Sequence, residues 1–382
     1  MNATVPALRQ VERRIAAAGV PTFAVRMMDG SLRSFGEGPP AFTLVIRDKS
    51  AAAALASMDK LAVADAYVDG SLDVEGDFES AFEIRPTLSD RHPLHYAWRF
   101  LRPLLFGRTK ADAAFIAEHY DNDAEFFLSF LDTRHRCYSQ GFFEHDGEPL
   151  EDAITRKLQF ALDAVGARPG DRVLDIGGGW GAMTEFGGRR GIRVTSLTIS
   201  RASEEYIRAL VDREGLPSRV IREHLMNHAP DEPYDAIVNL GVTEHLPDYA
   251  GTLKKYESLL KPGGRIYLDA SATRRKHSHS TFLERRVFPG DGSLMCLHEY
   301  LAAAAATPFQ LLAVHDDRHS YELTCRAWAR NLDRARDKIE ARFGSPLYRA
   351  FRIYLWGCAD AFRRDLTQAY RVVLRLPERE VR

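Results

Sequence analysis

The residues with the most chemical content lie in Val173-Leu-Asp-Ile-Gly-Gly-Gly-Trp-Gly181. An apolar run enters a cluster of glycines, and one carboxylate, Asp175, stands just before them. Glycine at such a place lets a ligand reach backbone N–H groups that a side chain would screen. Gly177, Gly179 and Ala182 fit the spacing G-x-G-x-x-G/A of dinucleotide sites. Those sites place an acid about 20 residues further on to hold the ribose hydroxyls. Here that position reads Leu197-Thr-Ile-Ser200, without a carboxylate. The loop is therefore expected to bind a ligand other than a nicotinamide dinucleotide.

The elements that must position this loop are legible around it. Ile154, Leu158, Ala161, Leu162 and Val165 recur at helical spacing over Glu151–Val165, and Gly166 can end that helix. Strand-like runs follow at Arg172–Ile176, Arg193–Leu197, Ala236–Leu240 and Arg265–Leu268, with helical segments between them. Such alternation predicts a parallel sheet wound with helices on both faces, and its ligand at the carboxyl ends of the strands. Earlier in the chain, Phe42–Arg47 reads as a strand, Ala51–Ala56 and Leu61–Tyr67 as helices, and Val68–Ser71 as a turn.

A net charge of −1 over 382 residues supplies no basic field for nucleic acid. Cys137, Cys296, Cys325 and Cys358 form no C-x-x-C pair, which argues against a zinc site or a disulfide framework. No apolar run reaches the roughly 18 residues that would span a bilayer, and Met1–Gln10 has no apolar signal core. A cytoplasmic protein is expected. Residues 91–110 interleave Arg91, Arg99, Arg102, Arg108 and Lys110 with Trp98, Phe100, Leu101, Leu104, Leu105 and Phe106. They read either as a linker that packs on the next domain or as a segment lying on an anionic membrane surface. His277 and His279 do not share a helical face and are not read as metal ligands.

Leu174-Asp-Ile-Gly-Gly-Gly-Trp-Gly181, Tyr234-Asp-Ala-Ile-Val238 and Leu260-Lys-Pro-Gly-Gly264 resemble the motifs of class I S-adenosylmethionine-dependent methyltransferases. Cys137-Tyr-Ser-Gln-Gly-Phe-Phe143, Gly241-Val-Thr-Glu-His245, Val287–Leu294, Ser320–Trp328 and Tyr354–Arg363 narrow the likeness. Together they resemble the cyclopropane-fatty-acyl-phospholipid synthase and mycolic acid cyclopropane synthase family over about 115–375. Ala66-Tyr-Val-Asp-Gly70 resembles, more loosely, the family's lipid-binding N-terminal domain.

The resemblance implies a Rossmann-like α/β sheet with a helical cap, preceded by a small α+β domain. The implied organisation is a lipid-binding-like domain at 1–90, a basic aromatic linker at 91–115, and a methyltransferase domain at 116–382 with a lid at 271–294. It also implies S-adenosylmethionine as cofactor, with Tyr138, Ser139, Asp175, Gly177, Gly179, Trp180, Gly181, Thr198, Ser200 and Glu223 around it. The implied substrate is the cis double bond of an unsaturated acyl chain, in a phospholipid, at the inner face of a membrane to which the protein is peripheral. A homodimer is compatible with the resemblance. Attack of an alkene on the sulfonium methyl leaves a cation on the chain, and Tyr138, Phe142, Phe143, Trp180 and Tyr321 are candidate aromatic faces for it. Arg285 and Arg286 are candidates to meet a phosphate headgroup. Other expectations are a small-molecule C- or N-methyltransferase and a non-catalytic lipid-binding protein on the same scaffold.

Family members of this type hold a bicarbonate ion as base. Of the four family positions around it, Glu244 and Tyr321 are kept, while the Cys position reads Gln140 and the His position reads Asp269. A negative Asp269 beside Glu244 would repel bicarbonate. The expectation is that Asp269 or Glu244 acts directly as base, or that proton loss is steered elsewhere. On that view the product is a methyl- or methylene-branched chain instead of a ring.

Overall fold

The computed structural model describes residues 20–90, 124–275, 280–288 and 293–378. Residues 91–123, which carry the basic aromatic stretch, lie outside the described residues, as do His277 and His279 and positions 289–292 of the expected lid. Two compact units are formed. No helix among the described residues is long and apolar enough to cross a membrane.

The described part of the first unit comprises residues 20–90 together with Ser280–Val287 and Leu332–Asp360. Its sheet has strands β1 (Phe23–Arg26), β2 (Leu32–Phe35), β3 (Phe42–Ile46) and β4 (Leu72–Gly76) in the order β2-β1-β3-β4. Helices α1 (Lys49–Ser57) and α2 (Lys60–Val68) cover it. Asp48 caps α1 by accepting from the amides of Ser50 and Ala51, as the side chain of an N-cap aspartate can. Phe23, Leu44, Ile46, Ala51, Leu55 and Leu72 form the apolar core between the layers. Arg286 donates to Asp65 at 2.8 Å and Arg285 lies 3.6 Å from the same carboxylate, so both have an acidic partner. This differs from their reading as residues that meet a headgroup.

The second unit carries the glycine loop. Helix α3 spans Ala124–Leu128 and α4 spans Leu150–Val165. Helix α4 ends on Gly166 at φ 69°, whose amide donates back to Asp163 and Leu162, the expected glycine stop. There follow β5 (Arg172–Ile176), α5 (Ala182–Gly188), β6 (Arg193–Thr198), α6 (Arg201–Glu214), β7 (Arg219–Arg222), β8 (Tyr234–Leu240), α7 (Tyr249–Leu259) and β9 (Leu260–Ala272). Later in the chain α9 (Leu297–Ala305), β10 (Gln310–Asp316), α10 (Arg318–Arg334) and β11 (Gln368–Arg375) belong to this unit, whereas α8 (Thr281–Arg286), α11 (Arg336–Phe343) and most of α12 (Ser345–Arg363) belong to the first.

The seven-stranded sheet has the order β10-β11-β9-β8-β5-β6-β7. Strands β5 to β9 pair in parallel, as the alternation predicts. The two late strands do not: β11 runs antiparallel to β9 and β10 antiparallel to β11. The sheet is therefore mixed, a common outcome where an edge is closed by late strands. The chain leaves β5 toward β6 and β7 on one side and returns through β8 on the other. The order thus reverses at β5 and β8, and the crevice at their carboxyl ends is where open α/β sheets bind ligands.

Candidate functional site

A cavity of about 130 Å³ opens at that crevice. The ends of four strands wall it, with Asp175–Trp180 after β5, Leu197–Ser200 after β6, Glu223–Leu225 after β7 and Leu240–Val242 after β8, and Arg136–Ser139 closes one side. Of the ten residues expected at the cofactor, Tyr138, Ser139, Asp175, Gly177, Gly179, Trp180, Thr198, Ser200 and Glu223 line this cavity. Gly181 does not. It caps α5 at φ 81°, and a Cβ there would come within 2.7 Å of Leu210. Its part is to let α5 pack close to α6.

The loop's backbone corrects one expectation. The amides of Gly177 and Gly178 are not open to a ligand, because both donate to the carbonyl of Leu197, at 3.0 and 2.8 Å. Within the loop from Gly177 to Trp180, the amides of Gly179 and Trp180 make no such bond and are left for a ligand. Gly179 sits at φ 52°, and a Cβ built on it would meet only the Gly177 carbonyl oxygen at 3.8 Å. The indole Nε1 of Trp180 is buried with no partner among the described residues. Asp175 is held from below by the Ser196 hydroxyl at 2.7 Å, itself 2.6 Å from Thr184 Oγ1. Burial pushes the Asp175 carboxyl up to about 6. Glu223 offers its carboxylate at the rim, where His228 Nδ1 stands 2.9 Å from Oε2. Two free amides, an indole N–H and two carboxylates around one cleft suit a ligand with its own carboxylate, ammonium and ribose hydroxyls. S-adenosylmethionine has that set of groups, and the residues fit it.

The four expected catalytic residues lie outside the cavity lining but beside its wall. Glu244 stands on a 3₁₀ turn (Thr243–His245) after β8, and Oε1 accepts from the Ser271 amide at 2.7 Å. Burial pushes its carboxyl up to about 7, with the Asp269 charge adding to the rise. Asp269 ends the inner stretch of β9 with no exposed surface. Tyr267 donates to its Oδ2 at 3.4 Å. The Tyr321 hydroxyl lies against Ser271 and senses both Glu244 and Asp269, and burial raises it well above the ordinary phenol range. Gln140 is buried and its Nε2 donates to Asp317 Oδ2 at 3.4 Å. The neighbouring His245 lines the cofactor cavity, and burial lowers it to about 4.

Bicarbonate can be tested against these atoms. Gln140 Oε1, Glu244 Oε2 and Asp269 Oδ1 are each buried with no hydrogen-bond donor among the described residues. Bicarbonate has a single O–H to give, so it would satisfy one of these three oxygens while bringing more acceptors and another negative charge to the rest. The residues present do not fit that ion.

Sequence reading missed the cation behind the acids. Lys157 has no exposed surface; its Nζ lies 3.6 Å from Asp269 Oδ2 and donates to Ser139 Oγ and, at 3.1 Å, to Cys137 Sγ. Its signal was present, since Lys157 falls at i+3 from Ile154 and i−4 from Ala161, inside the apolar stripe of α4. A lysine there is rare without a partner. Asp132, also unforeseen, shapes the wall by accepting from the amides of His135 and Cys137, at 2.6 and 2.8 Å. Of the aromatic candidates, Tyr138 and Trp180 border the cavity, and Trp328 joins Tyr138 to Tyr321 at ring distances of 5.4 and 6.3 Å. Phe142 is otherwise engaged, because the Arg371 guanidinium covers its face at 3.9 Å.

The raised Glu244 carboxyl has a measurable consequence. Burial pushes it up to about 7 in the folded chain, against about 4.5 for an ordinary glutamate. The native state therefore binds the extra proton between these values, and stability falls as pH rises through that window. Glu244→Gln removes this loss. Its melting temperature relative to the parent is expected to be higher at pH 8 than at pH 5, by calorimetry; an equal difference at both pH values would contradict the burial argument.

A family model described as mycolic acid cyclopropane synthetase matches residues 107–372. A second, described as a domain of unknown function, matches residues 14–87. A probable fatty acid methyltransferase of Mycobacterium tuberculosis is 28% identical, over 90% of this chain and 89% of its own length. The sphingolipid C9-methyltransferase of Candida albicans is 25% identical, over 81% of this chain and 64% of its own. The crystal structure of a mycolic acid cyclopropane synthase complexed with SAH and CTAB aligns with a TM-score of 0.64 at 26% identity, covering 69% of this chain and 98% of that one. With the glycine loop, the cavity at the switch point and these likenesses together, the chain belongs to the mycolic acid cyclopropane synthetase family, whose cofactor is S-adenosylmethionine.

Proposed function

We propose that the chain adds a one-carbon unit to the cis double bond of an unsaturated fatty acyl chain, carried by a phospholipid, and that a protein carboxylate removes the proton. The observation that carries this reading is the pair Glu244 and Asp269. Each is buried with one oxygen lacking a donor among the described residues, and a ring series runs from Tyr138 at the cofactor cavity through Trp328 to Tyr321, which senses both acids. The names of the relatives, a fatty acid and a sphingolipid methyltransferase, support an acyl substrate.

When bound, the cofactor supplies an electrophilic methyl group on a sulfonium. The residues Gly179, Trp180, Asp175 and Glu223 would hold it, with Thr198 and Ser200 near the ribose. An alkene is a weak nucleophile, so the protein's task is alignment in a dry pocket. The positive charge left on the acyl chain is stabilised by aromatic faces, which do not capture it, and by the nearby carboxylates. Asp269 or Glu244 then takes a proton. If the C–H bond of the new methyl breaks, its electrons close a cyclopropane ring. If a C–H bond of a neighbouring carbon breaks, they form a branched alkene. Either way the carboxylate becomes a carboxylic acid, and the product is one CH2 heavier than the substrate.

The test is mass spectrometry of total fatty acids from a host rich in monounsaturated phospholipid, with and without the chain. New acyl species one CH2 heavier are expected, chiefly as branched chains. A ring as main product would reject the branched outcome. Unchanged lipids alongside methylation of an added amine would reject the acyl substrate.

A further inference from the structure

An aspartate with no exposed surface is a poor base unless something holds it ionised, because burial favours the neutral acid. Asp269 faces groups from several elements. Tyr267 lies on its own strand, Glu244 on the turn after β8, and Tyr321 on α10. Asp317, after β10, is a further acid, and Arg371, the neighbour of Asp269 on β11, stands 3.2 Å from it. Among the described residues, one cation stands within ion-pair distance of Asp269. It is the Lys157 ammonium, which enters from α4 and stands 3.6 Å from Oδ2.

The other contacts of Lys157 give this pair a direction. An ammonium has three N–H donors and no acceptor. Here they meet Asp269 Oδ2, Ser139 Oγ and Cys137 Sγ. Ser139 and Cys137 line the cofactor cavity. The cation is therefore the joint between the cavity wall and the acid. With Lys157 and Tyr267 both on Oδ2, Oδ1 is left with no hydrogen-bond partner among the described residues. Burial alone would depress the Lys157 ammonium, yet Asp269 and Cys137 hold it above the ordinary lysine range. Burial raises the Asp269 carboxyl above the ordinary carboxylate range, and the chief influence opposing that rise is Lys157.

We infer that Lys157 is a positioning residue that keeps Asp269 ionised with Oδ1 free to accept the substrate proton, so that this enzyme needs no added anion as base. The inference rests on Asp269 being the base. In the step, a C–H bond of the alkylated cation breaks, its electron pair neutralises the cation by closing a ring or forming a C=C bond, the proton forms an O–H bond at Asp269 Oδ1, and Lys157 stays an ammonium throughout.

The experiment is the pH–rate profile of single-turnover methyl transfer to monounsaturated phospholipid vesicles, in bicarbonate-depleted buffer, for the parent, Lys157→Arg and Lys157→Gln. The parent is expected to keep its full rate after depletion; a rate that collapses and returns on adding bicarbonate overturns the inference. Losing the cation should move the acid limb of Lys157→Gln to higher pH by about one unit or more, because Asp269 then holds its proton more tightly. Lys157→Arg should leave the limb in place. A folded Lys157→Gln with an unmoved limb assigns Lys157 a structural role only. Should Lys157→Gln not fold, infrared difference spectra of the parent against Asp269→Asn decide. A carboxylate signal for Asp269 at neutral pH is expected, and a protonated carboxyl signal overturns the inference. Full activity of Asp269→Asn would instead remove the base assignment, which is a separate failure.

Discussion

Asp269→Asn is expected to slow single-turnover methyl transfer by about 10²- to 10⁴-fold, the usual worth of a positioned base. Cofactor affinity should stay within about threefold, the signature of an interaction made in the transition state and not in the ground state. Asp269 does not line the cofactor cavity, so asparagine there leaves the wall untouched. Asparagine matches the shape of aspartate but cannot accept the proton. It also leaves Lys157 without its counter-charge in a place with no exposed surface, so a lower melting temperature accompanies the loss. The companion variant Glu244→Gln separates the two acids. If Asp269→Asn retains its rate and Glu244→Gln does not, the base is Glu244. Single-turnover rates, with cofactor affinity measured by calorimetry, decide between them.

Gly179→Val is expected to weaken cofactor binding by about 100-fold or more, for two additive reasons. Gly179 sits at φ 52°. A left-handed conformation costs an ordinary residue roughly 1–2 kcal/mol, and a β-branched one is a clear outlier there. The space around its Cβ is open save for the Gly177 carbonyl oxygen at 3.8 Å, and Gly179 itself lines the cavity. The new side chain therefore has room to form, but only in the volume the ligand needs. Fold stability should change little beyond the backbone strain, since no packed side chain is displaced. Titration with S-adenosylmethionine reads the first effect and thermal melting the second. Unchanged affinity in Gly179→Val would place the cofactor elsewhere.

Much of the site was legible because it is local. The strand, glycine loop and helix of 172–188 follow one another in sequence, and each is named by residue types with a direct steric meaning. The same holds for the stop of α4 at Gly166 and for the parallel strands β5, β6, β8 and β9, while the short β7 went unnamed. The cofactor residues from Asp175 to Glu223 converge for a simple reason. They all stand at the carboxyl ends of parallel strands, and a parallel sheet brings such ends to one edge.

What the sequence determined by itself was this frame and the ligand it cradles. The polarity and pairing of the interior were decided by tertiary structure. The amides of Gly177 and Gly178 are spent on Leu197 of the neighbouring strand, so fewer of them face the ligand than the glycines suggest. The strands β10 and β11 turn antiparallel, and Arg285 and Arg286 find Asp65 far back in the chain. Above all, Asp269 and Lys157, more than a hundred residues apart, become a buried ion pair. Propensity and periodicity act over a few residues, whereas the charge state of a buried acid depends on which groups the fold brings within a few ångströms of it.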